Sequence, residues 1–401
     1  MNICIVYGEK MASTKGGVES VCHNLAGELI KLKSVRIFHL FINHNDESEI
    51  PDVCYEQLPW GNTKEKRLRS QSFVESYIRK NNIDIIWNHN QGGVFHELVY
   101  AAGKATHTKV VSVLHNNPSV AFGELIDRLS WYRFKSLEQG RYKDLLILLL
   151  KYPFAYLNSF RRSFNKLRHI YAHSDYLCLL SEHFRKEFLK LSKLKDNSKI
   201  RAITNPIVPC DYHYSRTDKK NRIVVVSRHV WKQKRIDRII RIWSKIQNNF
   251  PEWELIILGD GANHSDFVRV AEKAHAERLT FVGMQSPDQY YRTAKILCLT
   301  SSWEGFGLVL TEAQQYGCVP IAYKSYASLD DIIINGETGY SVTAYKEKEY
   351  ISKLSELMIN EEKREQIAKK AIEHAKKFHI DRIAHQWLRL FEEVIKDQKQ
   401  H

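Results

Sequence analysis

The chain contains the sequence Ser302-Trp303-Glu304-Gly305-Phe306-Gly307 between two segments of different pattern. The apolar run 296–299 before it is typical of a buried parallel strand, and the glycines open a turn from which residues 308–316 continue as a helix. A helix start offers unpaired backbone N–H groups and a partial positive charge, and glycines let a ligand approach the backbone closely. This stretch therefore predicts an α/β fold with a phosphate site at a strand-to-helix turn.

Two carboxylates bracket the predicted phosphate site. Glu304 and Glu312 lie on either side of the predicted helix start, with their backbones separated by about 12 Å if the segment is mostly helical. That separation matches the span of a nucleotide sugar, because a carboxylate accepts the two hydrogen bonds that a vicinal diol donates. Glutamates at this spacing are common on helix surfaces, so the prediction depends on the strand, the glycines and the following Gly317-Cys318-Val319-Pro320.

The motif resembles the Glu-x7-Glu signature of the retaining glycosyltransferases of family 4. It consists of Glu304-Gly305-Phe306-Gly307, four further residues and Glu312-Ala313, and Asn335-Gly336-Glu337-Thr338-Gly339 matches a later part of the family pattern. The resemblance implies the GT-B fold, an α/β fold in which two Rossmann-like domains face each other across a cleft. It also implies sugar transfer from a nucleotide donor with retention of anomeric configuration.

Strand and helix patterns alternate along the 401 residues in two series, which predicts parallel sheets with crossover helices. The predicted strands are 2–7, 35–42, 83–87, 109–114, 176–180 and 199–204 in the first series, and 222–227, 255–258, 279–282, 296–299 and 319–322 in the second. The predicted domains are 1–205 on the acceptor side, with a basic amphipathic insertion at about 120–170, and 206–380 for the nucleotide sugar. The helix in 381–401 is expected to cross back to the first domain.

A cationic loop follows the first strand of the second series. Arg228 and Lys234 match the arginine and lysine that the family has in this loop, where fixed positive charge would stabilise a departing diphosphate. The loop is one residue longer than the common form, which leaves Lys232 as a rival for the lysine role. The alternative is a basic helix start that is merely solvated.

The resemblance assigns donor contacts to further residues. It places Glu304 at the sugar hydroxyls and Glu312 at the ribose. The other donor-binding positions that it implies in this domain are Gly259, Gly305, Phe306, Gly307 and Leu308. For Gly259, within Gly259-Asp260-Gly261, a role in binding and a simple turn remain open.

In the first domain, Gly16 and Gly17 open the helix after the first strand, where the family's Gly-Gly loop approaches the donor phosphate. His115 follows a strand and resembles the family histidine that lines the sugar pocket as part of the catalytic set with Glu304, Arg228 and Lys234. His89 is a weaker candidate of the same kind. The resemblance implies neither a cofactor nor a metal, and Asp330-Asp331 reads as part of a helix start. The expected donor is a UDP- or GDP-sugar.

The segment 131–168 combines aliphatic, aromatic and basic residues. Together with a net charge of +14, it predicts contact with an anionic membrane. The alternative is an amphipathic helix that packs on the domain. The run 1–7 is too short for the apolar core of a signal peptide and is typical of a first strand, so we expect a cytoplasmic protein at the inner face of the cell membrane.

These patterns favour a hexosyl- or hexosaminyltransferase that acts on a lipid-linked or polysaccharide acceptor. A second interpretation is another GT-B enzyme, such as a nucleotide-sugar epimerase or a glycan phosphorylase. A third interpretation, suggested only by the basic charge, is a nucleic-acid-binding protein. The chain lacks the aromatic and basic motifs of the known modules, so we expect no nucleic-acid partner.

Overall fold

The computed structural model describes residues 1–12, 17–32, 34–43, 49–61, 63–121, 124–125, 136 and 142–400, with backbone alone for 142, 144–146, 148–149 and 399–400. The chain divides into two compact units. Unit 1 comprises Met1–Pro118, Ser163–Val208 and Phe378–His401, and unit 2 comprises Ser119–Arg162 and Pro209–Lys377.

The strands of unit 1 are β1 (Asn2–Val6), β2 (Arg36–Phe41), β3 (Val53–Gln57), β4 (Ile85–Asn88), β5 (Lys109–Leu114), β6 (Tyr176–Leu179) and β7 (Ile200–Ala202). Those of unit 2 are β8 (Lys220–Val226), β9 (Glu254–Leu258), β10 (Leu279–Gly283), β11 (Ala294–Leu299), β12 (Val319–Lys324) and β13 (Tyr340–Thr343).

The α-helices are α1 (Val18–Ile30), α2 (Lys64–Lys80), α3 (Val94–Ala105), α4 (Tyr142–Ala172), α5 (Glu182–Ser192), α6 (Trp231–Lys234), α7 (Ile236–Ile246), α8 (His264–Lys273), α9 (Asp288–Thr293), α10 (Leu308–Gln315), α11 (Leu329–Ile332), α12 (Glu347–Ile359), α13 (Glu361–Ala375) and α14 (Ile380–Gln400). Short 3-10 turns occupy Arg216–Asp218, Gln247–Asn249 and Lys376–Phe378.

Each unit contains a parallel sheet, as the alternating pattern predicts. The order is β3-β2-β1-β4-β5-β6-β7 in unit 1 and β10-β9-β8-β11-β12-β13 in unit 2. The strand order reverses between β1 and β4 in the first sheet and between β8 and β11 in the second. Ligands of open α/β sheets bind at the carboxyl ends of the strands at such a reversal. In unit 2 this places the loop after β8 beside the turn after β11.

Helix α14 completes the core of unit 1. The indole of Trp87 on β4 lies 4.6 Å from that of Trp387, measured between ring centroids, and 5.2 Å from the ring of Phe391. The chain re-enters the unit where Ile207 N donates to Phe378 O (2.8 Å) and Ile380 N donates to Ile207 O (3.0 Å). Residues at the end of the described chain therefore bury a tryptophan near its beginning.

The core of unit 2 forms where helices cover a sheet whose strands are apolar on both faces. Helix α7 contributes Ile236, Ile239, Ile240, Trp243 and Ile246, all at most 4% exposed. The helical spacing of these residues in the sequence predicts this packing. The helix begins at Ile236, directly after Arg235, which adopts a left-handed conformation with φ of +48° between α6 and α7.

The sequence patterns miss two strands, β3 and β13. Both are edge strands of their sheets. The residues of β3, Val53-Cys54-Tyr55-Glu56-Gln57, are partly or fully exposed, so the strand lacks the continuous apolar run of a central strand. Strand β13 has only four residues. Edge strands are buried less than central ones, which weakens their sequence signal.

Two sequence-based predictions fall partly beyond the described residues. Gly16 lies outside them, whereas Gly17 is described as the N-cap of α1 with φ of +82°. Within the predicted insertion at about 120–170, residues 122–123, 126–135 and 137–141 lie outside them as well. Among the described helices, none is sufficiently long and apolar to cross a membrane.

Candidate active site

The turn between β11 and α10 contains Glu304 and ends at a glycine that no other residue can replace without strain. Gly307 is the N-cap of α10 with φ of +97°, a conformation that L side chains rarely adopt. A Cβ atom at this position would lie 2.7 Å from Oη of Tyr326. Phe306 before it is 2% exposed, so a ligand at this turn would meet backbone N–H groups rather than the aromatic ring.

A buried ion pair joins two of the residues that the sequence singles out. Nζ of Lys234 lies 2.7 Å from Oε1 and 2.9 Å from Oε2 of Glu304. The side chains are 14% and 8% exposed, so water screens the pair only partly. The structure thus brings Lys234 to the first carboxylate, whereas its rival Lys232 is exposed to solvent.

Gln233 fastens the loop after β8 to the turn after β11. Its carbonyl oxygen accepts from Ser302 N (2.8 Å), and its amide Nε2 lies 3.4 Å from Oε2 of Glu304 and from the carbonyl oxygen of Trp303. The turn that carries Glu304 is therefore held from a neighbouring loop by both backbone and side chain, which fixes the position of the carboxylate.

Arg228 leaves the carboxyl end of β8 and is exposed. Its carbonyl oxygen accepts from Val230 N (2.8 Å) and from Oγ of Ser227 (3.1 Å), so two local hydrogen bonds hold its backbone. Among the described residues, its guanidinium has no ion-pair partner. An unneutralised guanidinium at the carboxyl edge of a sheet is suited to bidentate contact with phosphate oxygens.

Glu312, the second carboxylate, lies on α10. Its Oε2 accepts a hydrogen bond from the hydroxyl of Tyr291 on α9 at 3.1 Å. Burial of the carboxyl raises its pKa to about 7 and outweighs the opposing effect of the tyrosine hydrogen bond. The carboxyl group therefore changes charge in the neutral pH range, which the sequence motif alone does not indicate.

The glycines of Gly259-Asp260-Gly261 have a packing role. Gly259 has φ of +115°, and a Cβ atom there would lie 1.9 Å from the carbonyl oxygen of Ser227. A Cβ atom at Gly261 would lie 2.8 Å from the carbonyl oxygen of His229. Close approach of the loops after β8 and β9 thus accounts for both glycines, and contact of Gly259 with a donor stays a prediction.

In unit 1, His115 belongs to a buried cluster. Its Nε2 lies 2.8 Å from Nδ1 of His89, which lies 3.2 Å from Sγ of Cys22. Burial lowers the pKa of His115 to about 3 and that of His89 well below its ordinary value. Both imidazoles are therefore neutral at pH 7. The position of each histidine after a strand was visible in the sequence, but the stacking of the two rings and the contact of His89 with Cys22 were not.

Sequence reasoning missed Tyr326, which lies behind the turn at Gly307. Its hydroxyl is buried without a hydrogen-bond partner among the described residues. Burial and the nearby Glu304 carboxylate raise the pKa of Tyr326 well above its usual value. The available signal was its position just after β12, at the carboxyl edge of the sheet.

One group among the described residues has the donor atoms for a metal: His229, Asp260 and His264. The two Nδ1 atoms are 2.9 Å apart, the length of a direct N–H···N hydrogen bond. Two nitrogen ligands of a tetrahedral zinc ion would lie about 3.4 Å apart, so the distance fits a hydrogen bond between the two rings better than a pair of zinc ligands.

The Asp330-Asp331 pair lies at the start of α11. The carboxylate of Asp330 forms an ion pair with Lys324 at 2.8 Å.

Family models match the sequence of both units. A model of Glycosyltransferase Family 4 matches residues 15–209, and a model of Glycosyl transferases group 1 matches residues 214–374. The structure is similar to that of Anabaena Alr3699/HepE in complex with UDP and glucose, with a TM-score of 0.72 and 16% identity over 98% of this chain and 100% of the other.

Two curated relatives are similar over part of the sequence. The amylovoran biosynthesis glycosyltransferase AmsD of Erwinia amylovora is 28% identical over 42% of this chain and 47% of its own. A Campylobacter jejuni α-1,4-N-acetyl-D-galactosaminyltransferase, named for an undecaprenol-diphosphate-linked glycan acceptor, is 27% identical over 45% and 50%. The chain thus spans about half the length of these relatives. The two family models and the shared architecture show that the chain belongs to glycosyltransferase family 4 and has the GT-B fold.

Proposed function

We propose that the chain is a retaining glycosyltransferase that moves a hexose or hexosamine from a UDP- or GDP-sugar to a lipid-linked or polysaccharide acceptor. The observation that carries the proposal is the buried contact of Lys234 with both carboxylate oxygens of Glu304 at the start of α10. The names of the relatives support the acceptor class, since one serves amylovoran biosynthesis and another extends an undecaprenol-linked glycan.

Charge placement in unit 2 suits the departure of a nucleoside diphosphate. An ammonium group has three N–H donors, and Lys234 directs its charge at the two oxygens of Glu304, so a donor remains for a phosphate oxygen. The exposed guanidinium of Arg228 and the N–H groups at the start of α10 add positive potential. These groups favour the transition state, in which negative charge grows on the leaving diphosphate.

The carboxylates have separate tasks in this proposal. Glu304 accepts hydrogen bonds from sugar hydroxyls, and Glu312 accepts them from the ribose. In a retaining reaction by front-face attack, the departing phosphate takes the proton of the acceptor hydroxyl, so the chain needs no side chain as general base. The proposal includes no metal, because cationic side chains supply the charge that a divalent ion would supply.

A transfer assay tests the proposal. Thermal shift against UDP-, GDP-, ADP- and dTDP-sugars first identifies the donor by its stabilisation of the folded state. The radiolabelled form of that donor should then give a new glycoside with the α- or β-configuration of the donor by NMR, with equal rates in EDTA and in magnesium.

Three outcomes would change the assignment. Interconversion of the donor sugar without any acceptor would indicate the epimerase alternative. Product formation that requires inorganic phosphate and a glycan would indicate a phosphorylase. A glycoside whose anomeric configuration is opposite to that of the donor would support a transferase but contradict the retaining mechanism.

A further inference from the structure

Helix α4 carries a row of exposed apolar side chains in its first half. Ile147 is 47% exposed, Leu150 69%, Phe154 71% and Leu157 63%. Their spacings of three, four and three residues keep them within an arc of about 80° on an ideal helix, over a length of about 15 Å. We call these four residues the α4 stripe. Exposed apolar residues are normal singly, but a continuous row of large ones marks an interaction surface.

The α4 stripe points away from the side of the helix that packs. In the second half of α4, Leu167 and Ile170 are 2% and 1% exposed and form the packed side. At about 100° per residue, Leu167 and Ile170 lie about 140° and 160° around the helix axis from Phe154, and about 80° and 140° from Leu157. The stripe is therefore not the core-facing side of an ordinary amphipathic helix.

Basic residues surround the α4 stripe. The sequence of α4 contains six Lys and Arg residues and a single acidic one. Lys143, Lys151, Arg161 and Arg162 are exposed and lie beside the stripe or at its two ends. Among the described residues, none of these four has an ion-pair partner. An apolar row bordered by unpaired cations is complementary to a surface that has acyl chains beneath anionic headgroups.

We propose that the α4 stripe lies in the interface of a bilayer rich in anionic phospholipid, with Lys143, Lys151, Arg161 and Arg162 on the headgroup phosphates. The surface is narrower than the segment 131–168 that the sequence predicts. Arg168 belongs to the packed half, since its guanidinium donates to Ser192 O at 3.4 Å and covers the ring of Phe164. The contact itself is independent of transfer chemistry, and only its use to reach a lipid-linked acceptor rests on the proposed function.

Sedimentation with vesicles tests the contact. The full chain is mixed with vesicles of phosphatidylcholine alone or with one third phosphatidylglycerol. We expect sedimentation with the anionic vesicles, release as salt rises, and little binding to neutral ones. The variant F154S/L157S should weaken partition about tenfold or more, and R161Q/R162Q should remove most of the salt-dependent part.

A matched control separates the α4 stripe from exposed apolar surface in general. Met284 and Ile359 are 76% and 73% exposed, so M284S/I359S removes similar apolar area elsewhere and should change partition by less than about twofold. Equal partition of F154S/L157S and the parent, equal binding of the parent to both vesicle types, or no binding at all would overturn the proposal. A dimer of the parent that F154S/L157S dissociates, without vesicle binding, would assign the stripe to a second copy.

Donor binding distinguishes this proposal from the transferase proposal. The variants F154S/L157S and R161Q/R162Q should bind the donor like the parent and transfer sugar to a soluble acceptor analogue. Vesicle binding by a chain that transfers no sugar would support the membrane contact and contradict the proposed function. Sugar transfer by a chain that binds no vesicles would support the proposed function and contradict the membrane contact.

Discussion

Lys234 and Glu304 form a two-oxygen contact at 2.7 and 2.9 Å although they are far apart in the chain. The partners come from the loop after β8 and the turn after β11, which the sheet order makes neighbours. Because both side chains are largely buried, each is the main neutraliser of the other. Substitution of either one therefore tests both the fold and the chemistry of the site.

The substitution Glu304→Gln should reduce transfer by about a hundredfold or more. The glutamine keeps the volume of the side chain but no longer carries the charge that positions Lys234 and accepts from sugar hydroxyls. Loss of the partner of a mostly buried ammonium should cost about 1–3 kcal/mol of unfolding free energy. Near-normal turnover in a variant with a normal melting temperature would contradict the role of Glu304.

Arg228→Ala and Lys234→Ala should each lower kcat by more than they raise KM, because these cations act on charge that develops as the diphosphate leaves. Lys232→Ala is the matched control, since Lys232 is exposed in the same loop and should leave kcat within about twofold. Steady-state kinetics with the identified donor make the comparison. A damaging Lys232→Ala beside a harmless Lys234→Ala would reverse the lysine assignment.

Affinity for the donor should rise about tenfold between pH 6 and pH 8. The pKa of Glu312 is raised to about 7, so its carboxyl is mostly neutral at pH 6 and mostly charged at pH 8. A nucleotide sugar is the suitable probe, since its diphosphate does not titrate in this range.

The variant Glu312→Gln should bind the same donor with an affinity that is flat over this range and weaker at pH 8, by about 1.5–3 kcal/mol. Isothermal titration calorimetry measures both proteins. Parallel pH profiles for the parent and the variant would exclude Glu312 as the ribose contact.

Gly259→Ala should destabilise the chain by about 3 kcal/mol or more, because its Cβ would lie 1.9 Å from the Ser227 carbonyl oxygen. Gly283→Ala is the control. Gly283 also has a positive φ, of +72°, but a Cβ there meets nothing within 4 Å, so only the conformational cost of about 1–2 kcal/mol applies. Urea unfolding should show the difference, and equal losses would mean that the two loops do not approach so closely.

Unit 1 should lose stability as the pH falls below 6.5. The folded chain holds His115 with a pKa of about 3 and His39 with a pKa of about 4, mainly because burial disfavours the charged imidazole. The unfolded chain binds protons at about pH 6.5, so the stability is complete above that value and is lost toward the folded pKa values, by about 1.4 kcal/mol per pH unit for each histidine. The variant His115→Asn should reduce this dependence of stability on pH. Urea titrations that are monitored by hydrogen exchange of the backbone amides of β4 and β5 measure it. An unchanged slope would show that His115 is protonated equally in both states.

Much of the architecture is predictable from local pattern. The run 296–299, the glycines after it and the periodic segment 308–316 predict β11, its turn and α10, because buried strands and glycine-opened helices have strong signals. The weak signals belong to the edge strands β3 and β13, where exposure on one side removes the apolar run.

The site was predictable by residue type and position but not by contact. Lys234 and Glu304 each follow a strand of unit 2, so both are expected at one edge of the sheet. That Lys234, and not Lys232, reaches the carboxylate depends on the left-handed turn at Arg235 that ends α6, which no spacing indicates. The hydrogen bond of Tyr291 to Glu312 and the buried hydroxyl of Tyr326 likewise depend on tertiary packing.

The packing of α14 on β4 has a consequence for synthesis on the ribosome. Most of unit 2 is one continuous stretch, Pro209–Lys377, whereas unit 1 also requires Phe378–His401. Since the amino-terminal part of a chain emerges first, the indole of Trp87 stays uncovered until Trp387 and Phe391 have left the exit tunnel. The sheet that is translated first is thus the last to be completed, and the nascent chain presents an apolar strand surface to chaperones throughout the translation of unit 2.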